Sequence, residues 1–152
     1  MSDSKLIAQR IQQYLDGEDF HYDFNPEEGI FRFGVVMPNK LQNIQYLIHV
    51  LDNRFISYAF CPMGAGEAKE KVAEFLHRAN YGMLVGNFEM DYSDGEIRFK
   101  YSHVCRDALP SKEQVEESIL LPARMFKTYG DGLLAVIFGV KEPQEAVEES
   151  EQ

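Results

Sequence analysis

The sequence predicts an α+β fold, in which an antiparallel sheet of five or six strands carries helices at the start, middle and end of the chain. Two turn signals, Asp52-Asn53 and Asp94-Gly95, each lie between segments of strand-forming residues and predict β-hairpins. Segments with apolar residues at helical spacing lie before, between and after these hairpins. The predicted order is therefore helix, several strands, helix, hairpin and helix.

The composition is that of a folded domain with an acidic surface. The chain has 152 residues and 45% hydrophobic content, which suffices for one core, so we predict a single domain over residues 1–140. A net charge of −10 argues against nucleic-acid partners and anionic membranes, because both attract basic surfaces. Residues 141–152 hold five acids and one base, and we predict an acidic, disordered tail there.

The N-terminal residues contain no apolar stretch of signal-peptide length, and no segment reaches the length of a membrane-spanning helix. We therefore predict a cytoplasmic protein. Cys61 and Cys105 are far apart and form no CxxC motif, which favours two reduced thiols while leaving a disulfide open.

The first helix and the first two strands have clear boundaries. Residues 4–16 carry an apolar stripe at helical spacing, and Gly17 ends the predicted helix. Residues 21–24 form a short predicted strand that stops at Asn25-Pro26. Residues 30–37 alternate apolar and other side chains until Pro38 breaks the strand.

Residues 44–51 and 54–60 flank the two-residue turn at Asp52-Asn53. Centring the strand pairing on this turn divides the side chains between two faces. We assign one face to the core, and it contains Tyr46, Ile48, Val50, Phe55, Ser57 and Ala59. The other face mixes apolar side chains with His49 and Arg54, as interfaces do, and we predict a protein-interface there with four central residues: Leu47, His49, Ile56 and Tyr58. The alternative is that a further helix covers this face.

A second helix is predicted at residues 67–79, and a charge-paired hairpin follows it. A type I′ turn centred on Asp94-Gly95 would place Tyr92 opposite Ile97 and Glu89 opposite Lys100. This register makes one face of the hairpin apolar and pairs acids with bases on the other.

The last helix is predicted to begin at Ser111, where Ser111 and Gln114 can form a capping box. Pro122 lacks the N–H that the Ser118 carbonyl would accept, so the sequence predicts a kink or a break at this point. Gly130 and Gly132 predict a further interruption.

No pattern in the chain indicates a catalytic residue, a cofactor site or a metal site. The four histidines are scattered and lack the HxxxH and HExxH spacings of metal-binding helices. The serines lie in no nucleophile-elbow pattern. Asn80 lies where the second helix should end, and its amide is predicted to cap that helix or to tie it to the next hairpin.

Two stretches resemble the YbjN-domain family of bacterial proteins, FLHRANYGMLVGNFEMDYSDGEIRFKY and ARMFKTYGDGLLAVIFG. The first has that family's Asn-containing helix end, Gly-Asn-Phe-Glu strand start and acidic-Gly turn. The second is similar to its aromatic final helix, which runs into Ala-Val-Ile and a terminal Gly. The resemblance implies an α+β domain similar to type III secretion chaperones, with no catalytic residue.

These observations together predict a non-enzymatic, cytoplasmic protein-binding module with a chaperone-like or regulatory role. The partner is another polypeptide, and the resemblance to chaperones makes a homodimer possible. The alternative is a small-molecule-binding or enzymatic protein that uses a pocket between sheet and helices, with a polar lining such as His49, Tyr58 or Asn80.

Overall fold

The computed structural model describes residues 3–152, which form four helices and one six-stranded antiparallel sheet. The predicted fold class is confirmed. In chain order the elements are α1 (Asp3–Gly17), β1 (Tyr22–Asn25), β2 (Ile30–Val36), β3 (Asn43–Val50), β4 (Arg54–Phe60), α2 (Lys69–Tyr81), β5 (Asn87–Met90), β6 (Ile97–Val104), α3 (Lys112–Ile137) and α4 (Pro143–Ser150).

The strand order in the sheet is β1-β2-β3-β4-β6-β5. The first four strands follow one another as a meander. After α2 the chain returns at the far edge as β5, and β6 then pairs with both β5 and β4. The two edge strands of the sheet are β1 and β5.

The helices cover one face of the sheet and bury it. Helix α1 contacts β3 and β4, helix α3 contacts β4 and β6, and α2 packs on β5 and α3. The largest fully buried side chains come from both layers, and include Phe31, Tyr46, Phe55, Phe75, Phe99 and Phe126. Removing such side chains from water is the main favourable contribution to folding.

The β3–β4 hairpin has the predicted register. Val50 pairs with Phe55, and the Leu51 N–H donates to the Arg54 carbonyl at a distance of 2.8 Å. The face assigned to the core is buried, including Ser57 and Ala59, which are both fully inaccessible beneath the helices.

The β5–β6 hairpin differs from its predicted register by two residues, because its turn is longer than two residues. Met90, rather than Tyr92, pairs with Ile97. The Asp91 carboxylate accepts the Ser93 N–H at 2.8 Å, and the Gly95 N–H donates to the Asp91 carbonyl at 2.7 Å. These bonds close the turn across residues 91–96. A shift of two residues keeps each side chain on its own face, so the apolar and charged faces of the hairpin are as predicted.

Helix α3 is continuous over 26 residues, so the predicted interruption at Gly130 and Gly132 is wrong. The two glycines make room for neighbouring elements. A Cβ on Gly130 would lie 2.6 Å from Leu41 Cδ1, and one on Gly132 would lie 3.1 Å from the Ala146 carbonyl. The capping box of Ser111 and Gln114 is confirmed.

Pro122 lies within α3 without breaking it, and a side chain from the sheet enters the helix beside it. The Tyr46 hydroxyl donates to the Ile119 carbonyl. Burial raises the pKa of Tyr46, an effect that a hydrogen bond from the Ala123 N–H only partly opposes. The hydroxyl therefore lies between the Ile119 carbonyl and the Ala123 N–H, two groups that bond to each other in a regular α-helix, so Tyr46 enters the backbone hydrogen-bond ladder of α3 beside Pro122.

The prediction of a disordered tail at residues 141–152 is wrong for most of this segment. Helix α4 begins at Pro143 and packs against α2 and α3, and it buries Ala146 and Val147 in the main core. Its acidic side chains lie on the exposed side. The prediction rested on the charge of this segment and overlooked its apolar pattern. Pro143, Ala146 and Val147 stand at i, i+3 and i+4, and Pro143 has the position in the first turn that proline favours.

Candidate protein-binding surface

The sheet has a second face, which points away from α1 and α3, and we call it the open face. It is formed by alternate residues of the strands, among them Arg32, Leu47, His49, Arg54, Ile56, Tyr58, Phe60, Arg98 and Lys100. The four residues predicted to form an interface lie together at its centre. Leu47 pairs with Tyr58, and His49 pairs with Ile56. All four are partly exposed, whereas their neighbours on the other face are buried.

Aromatic and cationic side chains are in contact on the open face. The guanidinium carbon of Arg98 lies 4.2 Å from the centre of the Tyr58 ring, a cation–π geometry. The Phe60 ring lies beside Tyr58, with 6.3 Å between ring centres. These contacts support the Tyr58 ring in a fixed position while leaving part of it accessible.

Glu89, on the edge strand β5, forms ion pairs with two of the cations. Its carboxylate lies 2.6 Å from Arg98 Nε and 3.0 Å from Lys100 Nζ. Burial raises the pKa of Glu89, but the hydrogen bonds and charges of Lys100 and Arg98 lower it by more, so the net pKa is below its usual value. The carboxylate is therefore charged at neutral pH.

The open face is basic although the chain is acidic. Arg32, Arg54, Arg98 and Lys100 oppose only two carboxylates, those of Asp23 and Glu89, which gives the strands of this face a net charge of +2. Within residues 3–152, neither Arg32 nor Arg54 has a carboxylate within ion-pair distance.

Four further residues belong to this surface although the sequence did not indicate them: Arg32, Phe60, Arg98 and Lys100. Arg98 and Lys100 reach it because β6 pairs with β4, although 36 residues lie between the two strands in the chain. A hairpin signal reports pairing between neighbours only. A search for strands with bases at alternate positions could have identified β6 as a candidate.

The residues suggested for a pocket between sheet and helices do not line one cavity. Tyr58 lies on the open face, away from α1 and α3. His49, near the end of β3, borders a cavity beside α1, and neither Tyr58 nor Asn80 lines that cavity. The Asn80 amide binds the backbone of β5: its nitrogen donates to the Phe88 carbonyl at 2.9 Å, and the Phe88 N–H donates to its oxygen at 2.8 Å. Of the two predicted roles of Asn80, the tie between helix and hairpin is confirmed.

Other reactive groups are dispersed or protonated. Among residues 3–152, no three His, Cys, Asp or Glu side chains converge as a metal site would require. Cys61 and Cys105 are both free thiols. Burial raises the pKa of each, which keeps them protonated and poorly nucleophilic at neutral pH. Within the same residues, no helix is long and apolar enough to cross a membrane.

Comparison with known proteins places the chain in a family. A family model named YbjN, described as "Putative bacterial sensory transduction regulator", matches residues 8–135. The chain belongs to the YbjN family. None of the curated proteins matches it by sequence.

Two solved structures are similar in fold to this chain. The crystal structure of E. coli YbjN, titled a putative transcription regulator, matches with a TM-score of 0.56 at 14% identity, covering 81% of this chain and 90% of that one. ExsC in the ExsC–ExsE complex matches with a TM-score of 0.53 at 14% identity, covering 84% of this chain and 95% of that one. At this identity the matches establish the fold alone, and they confirm the predicted likeness to YbjN proteins and secretion chaperones.

Proposed function

We propose that this protein is a non-enzymatic, cytoplasmic binding module whose open face engages another polypeptide, in a chaperone-like or regulatory role. The observation that carries the proposal is the partly exposed apolar group of Leu47, Ile56 and Tyr58. Antiparallel sheets commonly expose a polar face, and an apolar group with a polar rim is characteristic of interfaces.

The comparisons support this function in kind. The family is described as a regulator, and one structural neighbour, ExsC, is seen in a complex with ExsE. The dispersed reactive groups support it as well, since a catalytic site needs nucleophile, base and oxyanion donors at mutual hydrogen-bond distance.

The proposal is tested by affinity capture from native cell extract with the double variant Ile56→Asp, Tyr58→Ser. We expect the parent to capture a polypeptide that the variant does not capture. Ile56→Asp places a carboxylate at the centre of the contact and Tyr58→Ser removes an aromatic ring there, so the apolar centre is lost. A matched control is Leu84→Asp with Tyr81→Ser, since Leu84 and Tyr81 are 99% and 92% exposed in the α2–β5 region.

Circular dichroism and thermal melting of each variant separate loss of binding from loss of fold. Retention of the partner by the open-face variant, or its loss only in the control, would contradict the proposal. A variant that does not fold would assign this face to the core, which also contradicts it.

A second copy of this chain is the other candidate polypeptide. Sedimentation of the purified parent over a range of concentrations tests this directly. A dimer that dissociates in the Ile56→Asp, Tyr58→Ser variant would make the bound polypeptide another copy, whereas a parent that stays monomeric requires a different partner.

A further inference from the structure

We propose that the polypeptide segment bound on the open face is acidic, with carboxylates interspersed among apolar side chains. This inference rests on the proposed function and adds the chemistry of the partner. Its basis is the reversal of charge between this face and the rest of the protein: the face carries +2 within a chain of −10.

The arrangement of the basic side chains suits an apolar segment with acids at its sides. One row across the sheet runs Arg32, Leu47, Tyr58, Lys100 through consecutive strand pairs. Neighbouring strands lie roughly 4.8 Å apart, so Arg32 and Lys100 are on the order of 14 Å apart with the apolar pair between them. A segment lying on Leu47 and Tyr58 would bring its flanking side chains to a cation on either side.

Two of the cations have unused hydrogen-bonding capacity. Arg32 is exposed and Arg54 is partly exposed, and within residues 3–152 neither has a carboxylate partner. Arginine is well suited to bind a carboxylate at an interface, because its planar group offers two parallel N–H donors.

Glu89 shows that this face already binds a carboxylate. Its carboxylate lies 2.6 Å from Arg98 Nε and 3.0 Å from Lys100 Nζ, and its lowered pKa indicates that these two cations stabilise the charged carboxylate. A partner's carboxylate at this end of the face therefore competes with Glu89. Arg32 faces Asp23 across the β1–β2 pair but outside ion-pair distance, and Arg54 lies on β4, so among residues 3–152 no carboxylate holds either arginine as Glu89 holds Arg98 and Lys100.

Charge disfavours the other occupants. A symmetric pair of open faces would place the same cations against each other, and like charges across an interface oppose association. A nucleic acid requires many phosphate contacts, which two unpaired arginines on an acidic protein do not supply.

The test is fluorescence anisotropy with a labelled peptide of alternating glutamate and leucine, compared with one of alternating lysine and leucine and with oligothymidylate. We expect the parent to bind the acidic peptide more tightly than the other two probes. The double variant Arg32→Glu, Arg54→Glu should bind the acidic peptide about tenfold more weakly, because it loses two solvent-accessible ion pairs. The matched control is Lys5→Glu with Lys127→Glu, which makes the same charge change on exposed helix positions.

Glu89→Gln supplies a second variant with the opposite expected effect. It frees Arg98 and Lys100, so the acidic peptide should bind more tightly than to the parent, an outcome that damage to the fold would not produce. Equal binding by the arginine variant and its control would overturn the proposal, as would preference for the lysine peptide or for oligothymidylate, or no binding of the acidic peptide. If the open face still captures its polypeptide in extract, such a result overturns the acidic chemistry and leaves the binding function standing.

Discussion

At the scale of single residues, Tyr46 and Ser57 are two polar side chains on the core face of the sheet that have opposite hydrogen-bonding states. The Tyr46 hydroxyl donates to the Ile119 carbonyl in the turn before Pro122, whereas the buried Ser57 hydroxyl has no hydrogen-bond partner among residues 3–152. A buried hydroxyl contributes to stability only when it is paired, and it costs desolvation energy when it is not.

We therefore expect Tyr46→Phe to lower the free energy of unfolding by about 1–3 kcal/mol, because it leaves a buried carbonyl without its donor. Ser57→Ala should leave stability unchanged or raise it, since the side chain keeps its place without the unpaired hydroxyl. Urea unfolding of both variants measures the difference. Equal losses in the two would mean that the Tyr46 bond adds nothing to the packing of its ring.

The sequence was sufficient to place Tyr46 and Ser57 in the core, because hairpin register divides side chains between faces. It did not reveal the bond from Tyr46 to Ile119, which joins residues 73 positions apart. Pro122 predicted that the Ser118 carbonyl would lack its usual donor, whereas Tyr46 binds the carbonyl of the next residue, Ile119, and no local pattern identifies that distant side chain.

At the scale of elements, the β5–β6 hairpin depends on a glycine in its turn. Gly95 has a φ of +79°, a conformation that side chains branched at Cβ rarely adopt. The Ala65 N–H donates to the Gly95 carbonyl at 2.9 Å, so this turn also holds the segment before α2.

Gly95→Val should destabilise the fold by about 1–3 kcal/mol through backbone strain. Gly132 is tightly packed against α4 and is unsuitable as a control. Gly82 is suitable, because its φ is −92° and a Cβ there meets nothing within 4 Å. Gly82→Ala should therefore keep the parent melting temperature. A Gly95 variant that melts with the parent would show that the turn tolerates a side chain.

The same hairpin should make stability depend on pH through Glu89. Because its pKa is lowered in the folded state, the ion pairs with Arg98 and Lys100 contribute fully above the ordinary glutamate value, about 4.3, and are lost as pH falls through the lowered value. At neutral pH we expect Glu89→Gln to cost about 1 kcal/mol after allowance for solvent screening.

The measurement for Glu89 is the free energy of unfolding from pH 7 down to pH 3. The difference between parent and Glu89→Gln should shrink as the pH falls, because only the parent loses a charged group. A difference that stays constant would assign the effect to packing rather than to charge.

At the scale of the whole molecule, the sequence predicted five or six strands, the order of the first three helices and the two faces of the β3–β4 hairpin, because each follows from local periodicity and turn chemistry. It did not predict that β6 lies beside β4 and brings Arg98 and Lys100 to the open face, or that α4 completes the core. Both depend on packing between distant segments. The charge reversal on the open face therefore emerged only from the folded chain.

The central claim is that a polypeptide binds across the open face, and a site-specific photo-crosslink tests it most directly. A photoreactive phenylalanine analogue is placed at Tyr58, and the same analogue is placed at the exposed Tyr81 for comparison. After irradiation in the native cell, we predict a covalent adduct with a polypeptide from position 58 and none from position 81. Adducts from position 81 alone, or no adduct from position 58, would contradict the account.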